Sequence, residues 1–241
     1  MSCRLYVDQS LHTATTFALP PDQSHYLRQV MRLQAGDELI LFNGMGGEFH
    51  ATISQLSRQE CICSVGEFID VDREMTCRIH IIQAACRNEK IDTVLQKGTE
   101  LGAVSFHIVR SERSSLKLDE NKLVKRLDRW QKIIIEAAEQ SGRTALPQVF
   151  WHQDLSGIKA EGLAFSLHPE AVNNFGLHLA ELISAKDISL AIGPEGGWSP
   201  RDLATLNAKG FQQLVFGQRI LRTETAAPAL LAAIQALRGN G

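Results

Sequence analysis

The sequence lacks the features that mark membrane, secreted and zinc-stabilised proteins. None of its apolar runs reaches 18 residues, so we expect no transmembrane helix. The first ten residues, MSCRLYVDQS, do not show the basic and then apolar pattern of a signal peptide. The five cysteines form no CxxC pair, which predicts reduced thiols and no metal site. Together these absences predict a soluble protein of the cytoplasm.

Two common nucleotide-binding motifs are missing as well. The glycine-rich stretches near the C-terminus contain neither the Gly-Lys-Ser/Thr ending of a Walker loop nor the dinucleotide fingerprint GxGxxG. The glycines in Gly44–Gly47 lie between two strand-like runs and are followed by no helix, so we interpret them as a hairpin turn. The net charge of −2 gives no general indication of nucleic-acid binding.

The charge is distributed unevenly along the chain. Residues 1–72 contain four Arg, no Lys and nine Asp plus Glu, whereas the rest of the chain contains more basic than acidic residues. This change in composition predicts a boundary between a first domain, residues 1–72, and a second domain, residues 73–241.

The first domain is rich in short β-forming runs separated by turn residues, which predicts a small barrel. The runs are RLYV, ELILF, FHATI and CICSV. Between the first two, residues 22–33 show helical spacing, with Leu27, Val30 and Met31 on one face. The opposite face would carry His25, Arg28 and Arg32. Such a face is either a phosphate-contacting surface or an ordinary solvated one.

The second domain alternates strand and helix patterns, which predicts an α/β fold with a mostly parallel sheet. Strands are expected at residues 78–86, 104–109, 148–151, 163–167, 188–192 and 213–216. Helices are expected at 89–101, 121–140, 171–184, 200–210 and from about 225 onward. Ligands of parallel sheets bind at the carboxyl ends of the strands. The turns at His168-Pro169, Gly193-Pro194 and Gly217-Gln218 all follow strands and could line one cleft.

The last two of these turns belong to the most informative stretch, IGPEGGWSPRD followed by FGQRILRTETA. Glycines permit close approach of the backbone to a ligand. Ser199 and Pro200 mark a helix start after the first turn, and Asp202 would complete an approximate capping box with Ser199. Pro228 belongs near the start of the last helix because proline has no N–H, which predicts Thr225 as the N-cap, with Thr223 as the less favoured alternative. Residues 218–224 would then form a loop that carries Arg219, Arg222 and Glu224.

The segments GPEGGWS and FGQRILRTETA resemble the signature of the RsmE-type ribosomal RNA methyltransferases, which belong to the SPOUT superfamily. The segments KIDTVLQKGTELG, VRSERSS and RWQKIIIEAAEQSGR resemble the middle motifs of this family. HYLRQVMRLQAGDELILFNGMGGEF resembles its N-terminal domain. The resemblance covers nearly the whole chain. Trp198, Asp202 and Tyr26 replace residues that are commoner in the family, and these changes affect packing and capping.

The resemblance implies a SPOUT methyltransferase domain with a deep trefoil knot, preceded by a PUA-like β-barrel that binds RNA. It also implies a homodimer that uses S-adenosylmethionine to methylate N3 of a uridine in 16S ribosomal RNA of the small subunit. Whether the substrate is naked RNA or the assembled subunit stays open. The matching cofactor-binding positions are Leu167, His168, Pro169, Gly193, Pro194, Glu195, Gly196, Gly197, Phe216, Gly217, Ile220, Leu221 and Thr223.

The chemistry suggests roles for charged residues around this pocket. Arg222, or else Arg219, would stabilise the negative charge that develops on the uracil carbonyl oxygens. Glu224, or else Glu195, would accept the N3 proton, although Glu224 could equally cap the last helix or pair with Arg222. The predicted RNA contacts of the first domain are Arg4, His25, Arg28 and Arg32. The alternatives are a non-catalytic RNA-binding module and a small-molecule enzyme such as a dehydrogenase.

Overall fold

The computed structural model describes residues 3–58, 60–116, 118 and 120–239. The chain divides into two compact units. The first unit comprises Met1–Glu74 together with Ala138–Leu146, and the second comprises Met75–Ala137 together with Pro147–Gly241. No helix among the described residues is long and apolar enough to cross a membrane.

The first unit contains a five-stranded sheet and one helix, α1 (Pro21–Gln29). The strands are β1 (Cys3–Tyr6), β2 (Thr16–Ala18), β3 (Glu38–Phe42), β4 (Glu48–Leu56) and β5 (Cys61–Ile69), in the order β1-β3-β4-β5-β2. β1 is parallel to β3, and the other neighbours are antiparallel. The structure confirms four predicted strands and adds β2, which has only three residues and therefore too little pattern to detect.

Helix α1 is shorter than the helical spacing predicted. It ends at Gln29, and Arg32 has a left-handed φ of 55°, so Arg32 does not share a helix face with Arg28. The cause is a turn in which the N–H of Leu33 donates to the carbonyl of Leu27. Leu33 thereby packs against the core beside the buried Leu27, whereas the predicted core residues Val30 and Met31 are exposed.

Arg4 forms part of a buried ion-pair network in the first unit. Its guanidinium pairs with Glu48, which also accepts from Arg73 at 3.0 Å. The side chains of Arg4 and Glu48 are only 12% and 8% exposed. Burial raises the pKa of Glu48, but hydrogen bonds and charge from Arg73 and Arg4 outweigh that effect and lower it below its ordinary value. Arg4 is therefore an internal structural residue.

The second unit has a six-stranded sheet, and all its described neighbours are parallel. The strand order is β11-β9-β10-β6-β7-β8. Parallel pairing requires crossover connections, and the alternating helices supply them. The strands are β6 (Arg78–Ala84), β7 (Ala103–Val109), β8 (Gln148–His152), β9 (Leu163–Leu167), β10 (Asp187–Ile192) and β11 (Gln212–Leu214).

Five α-helices follow these strands: α2 (Asn88–Glu100), α3 (Glu120–Ser141), α4 (Leu179–Ser184), α5 (Pro200–Ala208) and α6 (Thr223–Leu237). The last four residues of α3 belong to the first unit. Short 3₁₀ helices lie at Leu155–Gly157 and Phe175–His178. The predicted helix at 171–184 is therefore wrong in its first half. Backbone hydrogen bonds join Asn173 and Phe175 to Val215, and this pairing keeps the chain extended there.

The last helix begins earlier than Pro228 predicted. Arg222 is the N-cap, Thr223 and Glu224 lie in the first helical turn, and Pro228 is inside the helix. The prediction of Thr225 as N-cap, with Glu224 on a loop, is therefore wrong. Proline at this position removes a hydrogen bond to the carbonyl of Glu224. Tertiary contacts of Thr223, described below, stabilise the earlier start.

Candidate functional site

A cavity of about 510 Å³ lies at the carboxyl ends of β9, β10 and β11. Its walls come from the loops that follow these strands and from the start of α6. The cavity contains both glycine-containing turns of the most informative stretch. The lining residues are Lys90, Leu167, His168, Pro169, Ile192, Gly193, Pro194, Glu195, Gly196, Gly197, Leu214, Val215, Phe216, Arg219, Ile220, Leu221, Arg222, Thr223 and Ala226.

Most of the predicted site residues meet in this cavity. Of the predicted cofactor positions, all except Gly217 line it, and so do Arg219 and Arg222. Gly217 has a left-handed φ of 72° and lies in the turn that follows Phe216. Glu224 itself is not a lining residue, although Arg222, Thr223 and Ala226 around it are.

The first position of the Gly193–Gly197 loop leaves little room for a side chain. A Cβ at Gly193 would lie 3.1 Å from the backbone nitrogen of Trp198 and 3.3 Å from the carbonyl carbon of Gly197. Gly197 has a left-handed φ of 67°. Arg113 supports the loop from outside, since its Nη1 donates to the carbonyl of Gly196 at 2.9 Å. The loop is thus a fixed backbone surface.

The predicted capping box ends this loop. Ser199 Oγ accepts from the N–H of Asp202 at 3.0 Å, and the Asp202 carboxylate accepts from the N–H of Ser199 at 3.1 Å. Both residues are buried. The start of α5 is therefore fixed by short local hydrogen bonds, which the sequence predicted correctly.

Thr223 joins the two walls of the cavity. Its buried hydroxyl donates to the carbonyl of Gly193 at 2.7 Å and accepts from Gln83 Nε2 at 2.8 Å. Gln83 is fully buried near the carboxyl end of β6. One threonine thus connects β6, the glycine loop after β10 and the first turn of α6.

Lys90 is a lining residue that the predicted site did not include. It lies in the first turn of α2, and its Nζ is 3.4 Å from Glu195 Oε1 and 3.4 Å from Glu224 Oε2. Burial lowers the pKa of Lys90, but the two carboxylates outweigh that effect and raise it above its ordinary value. The sequence contained a signal for this position, because Lys90 opens the segment KIDTVLQKGTELG, which resembles a middle motif of the family.

Two ionisable groups near Lys90, Glu195 and Cys86, have shifted pKa values. Burial raises the pKa of Glu195, but hydrogen bonds from its own N–H, the N–H of Arg87 and Lys90 lower it below its ordinary value. Burial, with a further contribution from Glu195, raises the pKa of the Cys86 thiol to about 12. Near neutral pH the site therefore holds a Glu195 carboxylate and a neutral, unreactive thiol.

The mouth of the cavity carries exposed side chains. Arg222 and Ile220 are 82% and 84% exposed. The Nη1 of Arg222 lies 4.0 Å from Glu224 Oε1. A guanidinium this exposed is held only weakly by that contact, so it can turn toward a ligand at the mouth.

The predicted RNA contacts of the first unit fall into two groups. His25 lies exposed on α1, Arg28 is half-buried on the same helix, and Arg32 is exposed in the turn that follows. Arg4 is buried against Glu48, so it is not available to RNA.

In the described part of the chain, no group of three or more His, Cys, Asp or Glu is arranged to hold a metal ion.

Comparisons with known proteins identify relatives of both units. The sequence profile of an RNA methyltransferase domain matches residues 73–235, and that of an RNA methyltransferase PUA domain matches residues 19–66. The ribosomal RNA small subunit methyltransferase E of Bacillus subtilis is 31% identical over 96% of both chains.

Two solved structures are similar over 98% of both chains. A putative methyltransferase of Legionella pneumophila, in complex with bound SAM, is 32% identical with a TM-score of 0.91. A ribosomal RNA small subunit methyltransferase E of Neisseria gonorrhoeae, bound to S-adenosyl methionine, is 31% identical with a TM-score of 0.89.

Proposed function

The chain belongs to the ribosomal RNA small subunit methyltransferase E family of RNA methyltransferases, and we propose that it methylates N3 of a uridine in 16S ribosomal RNA with S-adenosylmethionine as methyl donor. The observation that carries this proposal is the cavity at the strand ends, which both signature segments line. The relatives of known structure with bound S-adenosylmethionine support the choice of donor.

The residues of the cavity fit such a donor. Its volume lies within the usual range for small-molecule sites, about 300–1,000 Å³. Leu167, Ile192 and Leu221 offer apolar surface, while the glycine loop offers backbone groups that can bind an adenine edge. Glu195 supplies a negative charge that complements a sulfonium. When bound, S-adenosylmethionine supplies an electrophilic methyl group whose bond to sulfur breaks with the electron pair left on sulfur.

The chain's charged residues would then act on the uracil ring. As N3 forms its bond to the methyl carbon, its proton passes to the Glu224 carboxylate and on to solvent. The negative charge that develops on the uracil carbonyl oxygens is stabilised by Arg222, with Arg219 as the second candidate. N3 lies on the Watson–Crick edge, so the uridine has to be unpaired when it enters the mouth.

Three further properties follow from family membership and are part of the proposal. The C-terminal segments would thread through a loop to form a trefoil knot around the cofactor. The protein would act as a homodimer, which the exposed apolar side chains of Val172, Leu177 and Ile183 in the second unit support. Its ribosomal substrate would place it in the cytoplasm.

The proposed division of labour follows the predicted domains. Residues 73–241 would bind the donor and carry out the transfer. Residues 1–72 would bind RNA that flanks the target, through His25, Arg28 and Arg32. The match of residues 19–66 to a PUA domain of RNA methyltransferases supports this role.

The proposal is tested by methylation of small subunits and of naked 16S RNA, both from a strain that lacks the protein. Mass spectrometry of the RNA should locate one 3-methyluridine. Calorimetry with S-adenosylhomocysteine should detect binding to the protein alone. Binding without methylation of either substrate would instead favour a non-catalytic RNA-binding module. No binding of S-adenosylhomocysteine would refute the proposal.

The base assignment has its own test. Glu224→Gln keeps the shape of the side chain but has no carboxylate to accept a proton. We expect single-turnover methylation to fall by about 10²–10⁴-fold. Full activity of this variant across the pH range would exclude Glu224 as the base.

A further inference from the structure

Lys90 occupies a position that its own helix does not favour. It is the third residue of α2, where the positive end of the helix dipole stabilises carboxylates and disfavours cations. Its ammonium group is held instead by tertiary contacts, at 3.4 Å from a carboxylate oxygen of Glu195 and 3.4 Å from one of Glu224. A residue that contradicts a local preference of its helix and lies beside a cavity is typical of a functional site.

The two carboxylates come from different segments beside the cavity. Glu195 belongs to the glycine loop after β10, and Glu224 to the first turn of α6. Their side chains are 31% and 19% exposed, and that of Lys90 is 20% exposed. A single partly buried cation therefore neutralises two partly buried anions that would otherwise repel each other. Without it, two like charges would face each other with no cation between them.

We propose that Lys90 is a positioning residue of the methyl-transfer site, whose ammonium group lies between Glu195 and Glu224 and screens their negative charges from each other, so that Glu224 can accept the uracil N3 proton. This inference rests on the proposed function. It assigns Lys90 no contact with the reacting atoms. It predicts that loss of the ammonium group acts through the two carboxylates rather than through the shape of the cavity.

Other charged groups around the cluster do not replace Lys90. The exposed guanidinium of Arg222 lies 4.0 Å from the other oxygen of Glu224. Arg87 contributes its backbone N–H to Glu195 at 3.4 Å. The thiol of Cys86 is neutral and buried. Lys90 is thus the one described cation that pairs with both carboxylates.

The test compares Lys90→Met, which keeps the length of the side chain, with Lys90→Arg, which keeps the charge. The first readout needs no cofactor or RNA: carbon-13 NMR titration of the glutamate carboxyl groups, assigned with Glu224→Gln and Glu195→Gln. We expect the titration of the carboxylate pair to move upward by about one pH unit or more in Lys90→Met. In Lys90→Arg it should stay close to wild type.

The second readout is single-turnover methylation across pH. The acid limb of the pH–rate profile should move to higher pH in Lys90→Met. It should return toward wild type in Lys90→Met/Glu195→Gln, because Glu195 then no longer places a second negative charge beside Glu224. A merely structural role would lower the rate equally at every pH. An unchanged NMR titration in Lys90→Met would overturn the inference. If the titration shifts in Lys90→Met but the wild-type protein methylates nothing, the proposed function is refuted and the pairing role of Lys90 stands.

Discussion

Arginines serve opposite purposes in the two units. In the first unit, Arg4 and Arg73 hold the buried carboxylate of Glu48. In the second unit, Arg222 extends from the mouth of the cavity and is 82% exposed. A guanidinium with buried partners fixes the backbone around it, whereas an exposed one stays available to a ligand. The same residue type is therefore structural in one unit and a catalytic candidate in the other.

The largest effect is expected where the buried network is broken. Glu48→Ala would leave Arg4 buried without its carboxylate, so we expect a loss of about 3–5 kcal/mol in the free energy of unfolding. Amide hydrogen exchange of β1 and β4 in the first unit measures this loss directly. Glu60→Ala, at an exposed position of the same unit, is the control and should change little. Equal protection in both variants would show that the network contributes no stability.

At the mouth of the cavity, we expect Arg222→Ala to affect the reaction and not the fold. Loss of a group that stabilises developing charge typically lowers kcat by about 10²–10³-fold. Affinity for S-adenosylhomocysteine, measured by calorimetry, should change little. Arg201→Ala removes an exposed arginine of α5 and should keep the wild-type kcat. If the two variants have the same kcat, Arg222 has no catalytic role.

The double variant Arg28→Ala/Arg32→Ala tests whether the first unit also has available arginines. We expect binding of 16S RNA to weaken by about tenfold, and the slope of log K against log salt to fall by about two, as two phosphate contacts are lost. Affinity for S-adenosylhomocysteine should not change. Arg58→Ala, at another exposed position, is the control for a loss of positive charge outside the proposed RNA contacts. Equal losses in both proteins would indicate nonspecific attraction only.

A dependence of stability on pH separates the two units further. Burial, with help from the charges of His152 and His80, lowers the pKa of His107 in the second unit to about 4. An unfolded histidine has a pKa near ~6.5, so the unfolded chain binds more protons between these values. Stability of the second unit should therefore be complete above about pH 6.5 and fall toward pH 4.

For Glu48 the pKa is lowered below its ordinary value, so its contribution is lost only at more acidic pH, as pH falls through the folded pKa. Hydrogen exchange at pH 7 and near pH 5 should thus show the second unit weakening first. His107→Gln should flatten that decline. If the first unit weakens first, the contrast between the two buried groups is wrong.

Local patterns predicted most of the fold because they depend on neighbours in the chain. The strand-like runs, the alternation that produces a parallel sheet and the capping box of Ser199 and Asp202 all follow from short-range chemistry. The cavity was predictable because parallel strands place their carboxyl ends at one edge.

The errors arose where distant residues decide the outcome. The burial of Arg4 depends on Glu48, which lies 44 residues away. The start of α6 depends on Gln83 and Gly193, which hold Thr223. The pairing of Lys90 depends on two acids that lie more than a hundred residues downstream. Composition and spacing contain no information about such pairs, although an alignment could.

The hydrogen bond between Gln83 and Thr223 spans 140 residues, which ties the cavity to the timing of protein synthesis. Gln83 has left the ribosome long before Thr223 is made, so the pocket of the nascent chain is incomplete until the last segment is synthesised. Contacts this distant in sequence also form late in folding, since closing the loop between them costs entropy. A truncated product that ends before α6 would therefore have an intact N-terminal unit but no complete pocket, and could occupy RNA without modifying it.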